Sequence, residues 1–447
     1  MSENVPVLLR GGTVVTMDPS RRVAPMDLRI ENGRIGAIGT GLDAAGCRVV
    51  DAAGCAVLPG FVHAHVHLCQ VLFRNFAEDR ALLPWLAERI WPLEAAHDAA
   101  SLATSARLGM AELLKSGATA ALDMGTVHHH DAVFEAARAM GFRLTSGKAM
   151  MDAGEGVPAG LRETTRSSLD ESDRLSRDWH GADGGRLSYA FAPRFVPSCS
   201  HELLGEVAAR VKSGARLHTH ASENLDEIDL VRRTTGLENV AYLGKLGLLS
   251  PTTCIAHGVH LSESELSLLA SSGTSIAHCP SANLKLASGI ADVVALRRAR
   301  VNVGLGGDGA PCNNNLDMWR EMKLAGLLPR LKHGPSALAA WDVLEMATLG
   351  GARALGIDDK VGSLEVGKRA DVVVVDLQKT HVQPLHDSID GLLTALVYAS
   401  QASDVRDVFV DGHALVSGGR LTRVDEAELL ADVERDARRV RARAGLL

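Results

Sequence analysis

Val57-Leu58-Pro59-Gly60-Phe61-Val62-His63-Ala64-His65-Val66-His67 is an apolar run that passes through a Pro-Gly pair into three alternating histidines. Alternate residues of a strand share a face. Two of these imidazoles can therefore reach one metal ion from the same side, as nitrogen ligands for Zn²⁺ must. One histidine in such a place reads as a polar side chain at a strand end. Three in alternation, with more histidines on later apolar segments, read as a ligand set.

Downstream, short apolar segments alternate with helical ones. Strand signals fall at 119–124, 143–150, 187–192, 216–222, 252–257, 274–279 and 302–308, which with the opening strand makes eight. Helix signals at 100–116, 131–140 and 262–272 lie between them. This repeat predicts an α/β fold, a (β/α)8 TIM-like barrel with its active site at the C-terminal ends of the strands. An open doubly wound sheet is the alternative, but no Gly-x-Gly-x-x-Gly follows a first strand and opens a helix. Both chain ends read as β structure. Short strands with an Asn32-Gly33 hairpin signal precede the barrel, and strand signals at 372–376 and 405–410 follow it. The expected organisation is a small β-sandwich domain built from residues 1–57 and 361–447, around a barrel at 58–360. Residues 425–444, acidic early and basic late, predict a terminal helix.

The 447 residues are 46% apolar and 23% charged, as in a globular protein. With a net charge of −7 and no basic cluster, no nucleic-acid partner is expected. The first residues lack the basic and apolar regions of a signal peptide, and no apolar stretch is long enough to span a bilayer. Seven scattered cysteines without a Cys-x-x-Cys imply reduced thiols in a cytoplasm and exclude a four-cysteine zinc site.

Chemistry-bearing residues fall at the strand ends. His65 and His67 close the first strand, His218 and His220 sit in the fifth, His257 ends the sixth and Asp308 the eighth. A barrel gathers these ends around one axis. Three imidazoles and a carboxylate leave a metal ion one open position, where a bound water's pKa falls toward about 7. Glu223, three residues past His220, stands where it can carry protons without ligating. The His128-His129-His130 tract after the second strand reads as a solvated loop at the rim.

Four motifs resemble the amidohydrolase superfamily: Pro59 to His67, His220-Ala-Ser-Glu223, Ala256-His257 and Gly306-Gly-Asp308. They are most similar to its mononuclear branch of cytosine, guanine, adenosyl-nucleoside and triazine hydrolases. The resemblance covers essentially the whole chain, including Val361 to Asp371 near the C-terminus. It implies metal ligands His65, His67, His220 and Asp308, with His63 standing where the family usually has Asn or Asp. It also implies Glu223 as proton shuttle, His257 as the residue orienting water and substrate, and Asp308 as a further catalytic group. His218 is expected to pack behind the ligands, and Lys148 to be structural. The bridging lysine of dinuclear relatives is absent from 187–192, so one divalent metal is expected, Zn²⁺ with Fe²⁺ as the alternative. Relatives imply a homodimer or larger assembly, and a hydrolytic deaminase of an amino-substituted N-heterocycle.

For the ring itself, Ala192-Pro-Arg-Phe-Val-Pro-Ser-Cys-Ser200 resembles the guanine deaminase segment in which an arginine and a phenylalanine hold the purine. A guanidinium can donate to ring nitrogens or a carbonyl, and an aromatic can stack on a base. Gln70 matches a guanine-contacting glutamine. Arg194, Phe195 and Gln70 are thus candidate substrate contacts beside Glu223 and His257. Against this, the residues after Asp308 and the 73–79 stretch are closer to adenosyl-nucleoside and triazine hydrolases. The expected order is a guanine-like purine or pterin, then 5′-modified adenosines such as 5′-deoxyadenosine or S-adenosylhomocysteine, then s-triazines. A non-aromatic amide or imine comes fourth. An inactive metal-binding relative is the reading from a different class, and its signature, a missing ligand or shuttle, is absent.

Overall fold

The computed structural model describes residues 5–386 and 388–446. The opening segment from Met1, read above as lacking a leader, begins outside them.

Eight parallel strands line the barrel: β1 (Phe61–His67), β2 (Ala118–Met124), β3 (Arg143–Gly147), β4 (Leu187–Tyr189), β5 (Leu217–Ala221), β6 (Thr253–His257), β7 (Ser275–His278) and β8 (Val303–Leu305). One run of parallel pairing joins β4, β3, β2 and β1, and another joins β5 to β8. Bridges Phe191↔Leu217 and Phe195↔His220 close the first seam. Asp308↔Val66 and Gly309↔His67 close the second. These strands read as unbroken apolar runs because helices cover the outside while side chains fill the lumen. All seven residues of β1 are buried.

Three expected strands, β3, β4 and β8, are shorter than their apolar signals, and glycine explains the first and the last. β3 stops at Gly147, where a Cβ would lie 1.9 Å from the Ala190 carbonyl oxygen. Ala149–Met150 then pairs separately with Ala192–Pro193. β8 stops before Gly306, where a Cβ would meet the His65 carbonyl oxygen at 2.8 Å. Only glycine allows that approach, and it brings Asp308 beside β1.

The two chain ends form one nine-stranded mixed sheet, so the expected β-sandwich is a continuous hydrogen-bonded layer. Val372–Asp376 pairs antiparallel with Cys55–Pro59, the strand that feeds β1. Asn32 and Gly33 adopt φ of 50° and 74°, the left-handed pair a tight hairpin requires. Arg143 on β3 forms a buried bidentate pair with Asp371 at 2.9 Å and reaches Asp411 at 2.7 Å, clamping the barrel to this sheet. The terminal helix runs Glu426–Arg443 with Asp425 as its cap. Among the described residues, no helix is long and apolar enough to cross a membrane. All seven cysteines are free thiols.

Candidate metal centre

The β1, β5, β6 and β8 ends bring His65, His67, His220, His257 and Asp308 to one buried point. His65, His220, His257 and Asp308 each place a ligand atom within 4.8 Å of the others. His67 joins them, with Nε2 at 3.2 Å from His220 Nε2 and 3.4 Å from Asp308 Oδ1. His65 Nε2 lies 3.1 Å from the same Oδ1.

Hydrogen bonding decides what these atoms can do. A carbonyl oxygen only accepts, so His67 Nδ1 donates to Met124 O at 2.8 Å, and His220 Nδ1 donates to Arg194 O at 2.7 Å. His218 Nδ1 likewise donates to Cys254 O at 3.1 Å, which leaves its Nε2 to accept from His65 Nδ1 at 2.8 Å. Burial pushes His65 and His67 below their ordinary pKa, His67 to about 3, so the rings are neutral. Each neutral ring has spent its one proton at Nδ1, and three Nε2 lone pairs point at one another and at a carboxylate. Such an array repels itself unless a cation lies between. Separations of 3.1–3.4 Å are those of ligands sharing one centre through bonds of about 2.0–2.2 Å. The donor set therefore fits a divalent cation, and the partners at Nδ1 fix the rings that would hold it. His218, expected to pack behind the ligands, is the partner that orients His65.

Glu223 and His257 flank this point. His257 Nε2 is 3.4 Å from Glu223 Oε2 and 3.9 Å from Asp308 Oδ2, while its Nδ1 donates to Asn283 Oδ1 at 2.9 Å. Burial lifts the Glu223 carboxyl to about 7, although the neighbouring His257 opposes the rise. Burial would lower His257, but the Glu223 and Asp308 charges outweigh it and raise its pKa. His257 and Asp308 hold φ of 76° and 55°, a left-handed backbone uncommon outside glycine, which Asp and His adopt more readily than most residues. Cys312 Sγ donates to Asp308 Oδ2 at 3.2 Å.

A cavity of about 30 Å³ opens on these groups, and Arg194 and Phe195 line it with Leu82, Trp85 and Leu86. The Arg194 guanidinium is held by Glu94 through bonds of 2.6 and 3.1 Å, both residues being buried. Gln70 donates to the same Glu94 at 2.8 Å and is not among the cavity-lining residues. Glu94 escaped the sequence reading; an acidic residue in the apolar run Trp91-Pro-Leu-Glu-Ala was its one signal. His128 and His129 are exposed as expected of a rim loop. His130 is buried, because its Nε2 bonds Ser146 Oγ at 2.9 Å. His63 is buried with neither ring nitrogen bonded, and Lys148 pairs with Glu163 at 2.7 Å, in keeping with a structural role.

Comparison with known proteins agrees with this geometry. The chain is 36% identical over 441 residues to a 5-methylthioadenosine/S-adenosylhomocysteine deaminase of Pelotomaculum thermopropionicum, covering 97% of this chain and 98% of that protein. A 5′-deoxyadenosine deaminase of Methanosarcina acetivorans is 36% identical over 445 residues, covering 98% and 99%. Among solved structures, a zinc-bound adenosine deaminase from Xanthomonas campestris matches with a TM-score of 0.90 at 33% identity, covering 98% of each chain. The guanine deaminase of E. coli matches with a TM-score of 0.81 at 30% identity, covering 93% and 99%. The Amidohydrolase family model matches residues 56–415, so this chain belongs to the amidohydrolase family.

Proposed function

We propose that this protein is a hydrolytic deaminase of adenosines modified at the 5′ position, replacing the C6 amino group by oxygen and releasing ammonia. The enzyme acts on a carbon–nitrogen bond of a cyclic amidine. The observation that carries the reading is the convergence of three Nε2 lone pairs and Asp308 beside a Glu223–His257 pair. Full-length similarity to deaminases of 5′-modified adenosines supports the ring assignment. That similarity reverses the order expected from the sequence, in which a guanine-like purine or pterin came first. A physical reason supports this: Arg194 and Gln70, two of the three residues that favoured guanine, are both engaged by Glu94. Arg194 and Phe195 still line the cavity, and that observation keeps an aminopurine base as the second reading.

His65, His67, His220 and Asp308 would hold the ion, Zn²⁺ with Fe²⁺ as the alternative; when bound, it would supply Lewis-acid activation of the water that hydrolysis consumes. Asp308 accepts the proton that water gives up. Glu223, whose carboxyl at about 7 keeps a proton available near neutrality, delivers it to ring N1 and then serves the departing amine. His257 Nε2, between the Glu223 and Asp308 carboxylates, orients the attacking oxygen. Phe195 stacks on the base, and Leu82, Trp85 and Leu86 exclude bulk water. A cytoplasmic homodimer or larger homo-oligomer completes the proposal, on the free thiols and the resemblance to relatives.

The test is ammonia release from 5′-deoxyadenosine, 5′-methylthioadenosine, S-adenosylhomocysteine, guanine, 8-oxoguanine and melamine, with and without chelator, beside elemental analysis. Chelator-sensitive deamination of an adenosine is expected. Turnover of guanine or melamine alone would overturn the assignment.

A further inference from the structure

Two cavities share one wall. The cavity at the metal centre holds about 30 Å³, room for a water or two but not for a heterocycle, since ligand pockets run to about 300–1,000 Å³. A second cavity of about 650 Å³ lies next to it. Leu82, Trp85 and Leu86 face the first, and Leu83, Ala87 and Trp91 face the second. These are neighbouring stripes of one helical stretch, the four residues Leu82–Trp85 continued by the wide turn Leu86–Ile90. Phe195 borders both cavities. Residues 82–90 are therefore the partition between them.

The partition departs from regular helix where it meets Pro92. Pro92 has no N–H for the Glu88 carbonyl, and the backbone widens at Leu86–Ile90 instead of continuing as an α-helix. Arg89 Nη1 donates to that freed carbonyl at 3.2 Å. Trp85 and Trp91, one facing each cavity, both bury an indole N–H without a partner. An unmade bond on each side of the wall is a cost that a seated ligand can relieve.

The chemistry of the second cavity selects what enters it. Its polar side chains are already committed. His201 Nδ1 and Tyr242 OH bond each other at 2.9 Å, while Thr234 and Thr235 donate to Leu230 O at 2.9 Å and Val231 O at 2.8 Å. Glu155 is the one carboxylate on the wall, and no lysine or arginine is among the described residues lining it. Arg194, the one lysine or arginine among the described residues lining the smaller cavity, is neutralised by Glu94. Arg162 donates to the Gly154 carbonyl at the rim and is not part of the lining.

We propose that the second cavity, joined to the metal centre when residues 82–90 swing aside, is the subsite for a neutral, apolar 5′ substituent and discriminates against one ending in a carboxylate. The inference rests on the nucleoside reading above. An entering amino-acid end would bring a carboxylate that sheds its water with no lysine or arginine to receive it, while Glu155 could answer only its ammonium. A methyl or methylthio group would lose nothing and gain the contact of Leu83, Val196 and Trp91.

The experiment compares kcat/KM for 5′-deoxyadenosine, 5′-methylthioadenosine and S-adenosylhomocysteine on the metal-replete enzyme, then repeats it on Thr235→Lys and Thr235→Met. The ratio between substrates does not depend on how much of a variant folds. The expected result is a preference of about 100-fold or more for the neutral nucleosides, and a tenfold or greater shift toward S-adenosylhomocysteine in T235K but not T235M. Equal use of S-adenosylhomocysteine by the unaltered enzyme, or an unmoved ratio in T235K, overturns the subsite while leaving the nucleoside reading intact. Deamination of no adenosine, with guanine or melamine consumed, overturns both.

Discussion

His67 Nε2 and His220 Nε2 face each other at 3.2 Å, each ring having already given its proton to a backbone carbonyl. Two lone pairs at that distance destabilise the fold unless a cation sits between them. Chelation should therefore lower Tm, and added Zn²⁺ should restore it by an amount that grows with concentration, about 2.7 kcal/mol at 100 times Kd. Calorimetry across a zinc titration checks this, and a chelated protein with unchanged Tm would contradict it.

His218 accepts the His65 Nδ1 proton and passes the orientation on to Cys254 O. His218→Phe keeps a planar ring but removes the acceptor. Metal affinity should fall about 10- to 100-fold with the fold retained, as measured by competition with a chromogenic chelator.

Glu223 lies 3.4 Å from His257 Nε2 and outside the close ligand set. Glu223→Gln should reduce kcat about 10²- to 10⁴-fold while metal content and Tm stay within error. Loss of metal in this variant would move Glu223 from proton transfer to ligation.

The Glu94–Arg194 pair is buried on both sides. Removing one partner leaves the other charge without compensation, so Glu94→Gln should cost about 3–5 kcal/mol in urea unfolding. A Glu94→Gln/Arg194→Met double variant should recover part of that loss. Because His220 is held by the Arg194 carbonyl and not by its side chain, metal content should survive Arg194→Met.

His97 is buried, with Nε2 donating to Cys69 O and Nδ1 accepting from Ser101 Oγ, and burial lowers its pKa from 6.5 to about 4. Between those values the unfolded chain binds a proton that the native chain does not. This group's contribution is complete above pH 6.5 and is lost as pH falls toward 4. Unfolding free energies at pH 7.5 and 5 should differ less in His97→Gln than in the unaltered protein.

The strand order of the barrel was legible because each stave is an apolar run and each proposed ligand sits at a stave's end: His65 and His67 on β1, His220 on β5, Asp308 after β8. Periodicity and spacing are properties of neighbouring residues, so they can be read along a chain. What tertiary structure alone decided lies between residues far apart in it. His65 and His218 are separated by 153 positions and His65 and Asp308 by 243, and only barrel closure sets the direction of each lone pair. Glu94 changes the meaning of Arg194 across 100 positions for the same reason. The histidines and the aspartate that converge were written in the chain; which proton each ring gives away, and so whether three nitrogens can share one cation, depended on partners that only folding brings into contact.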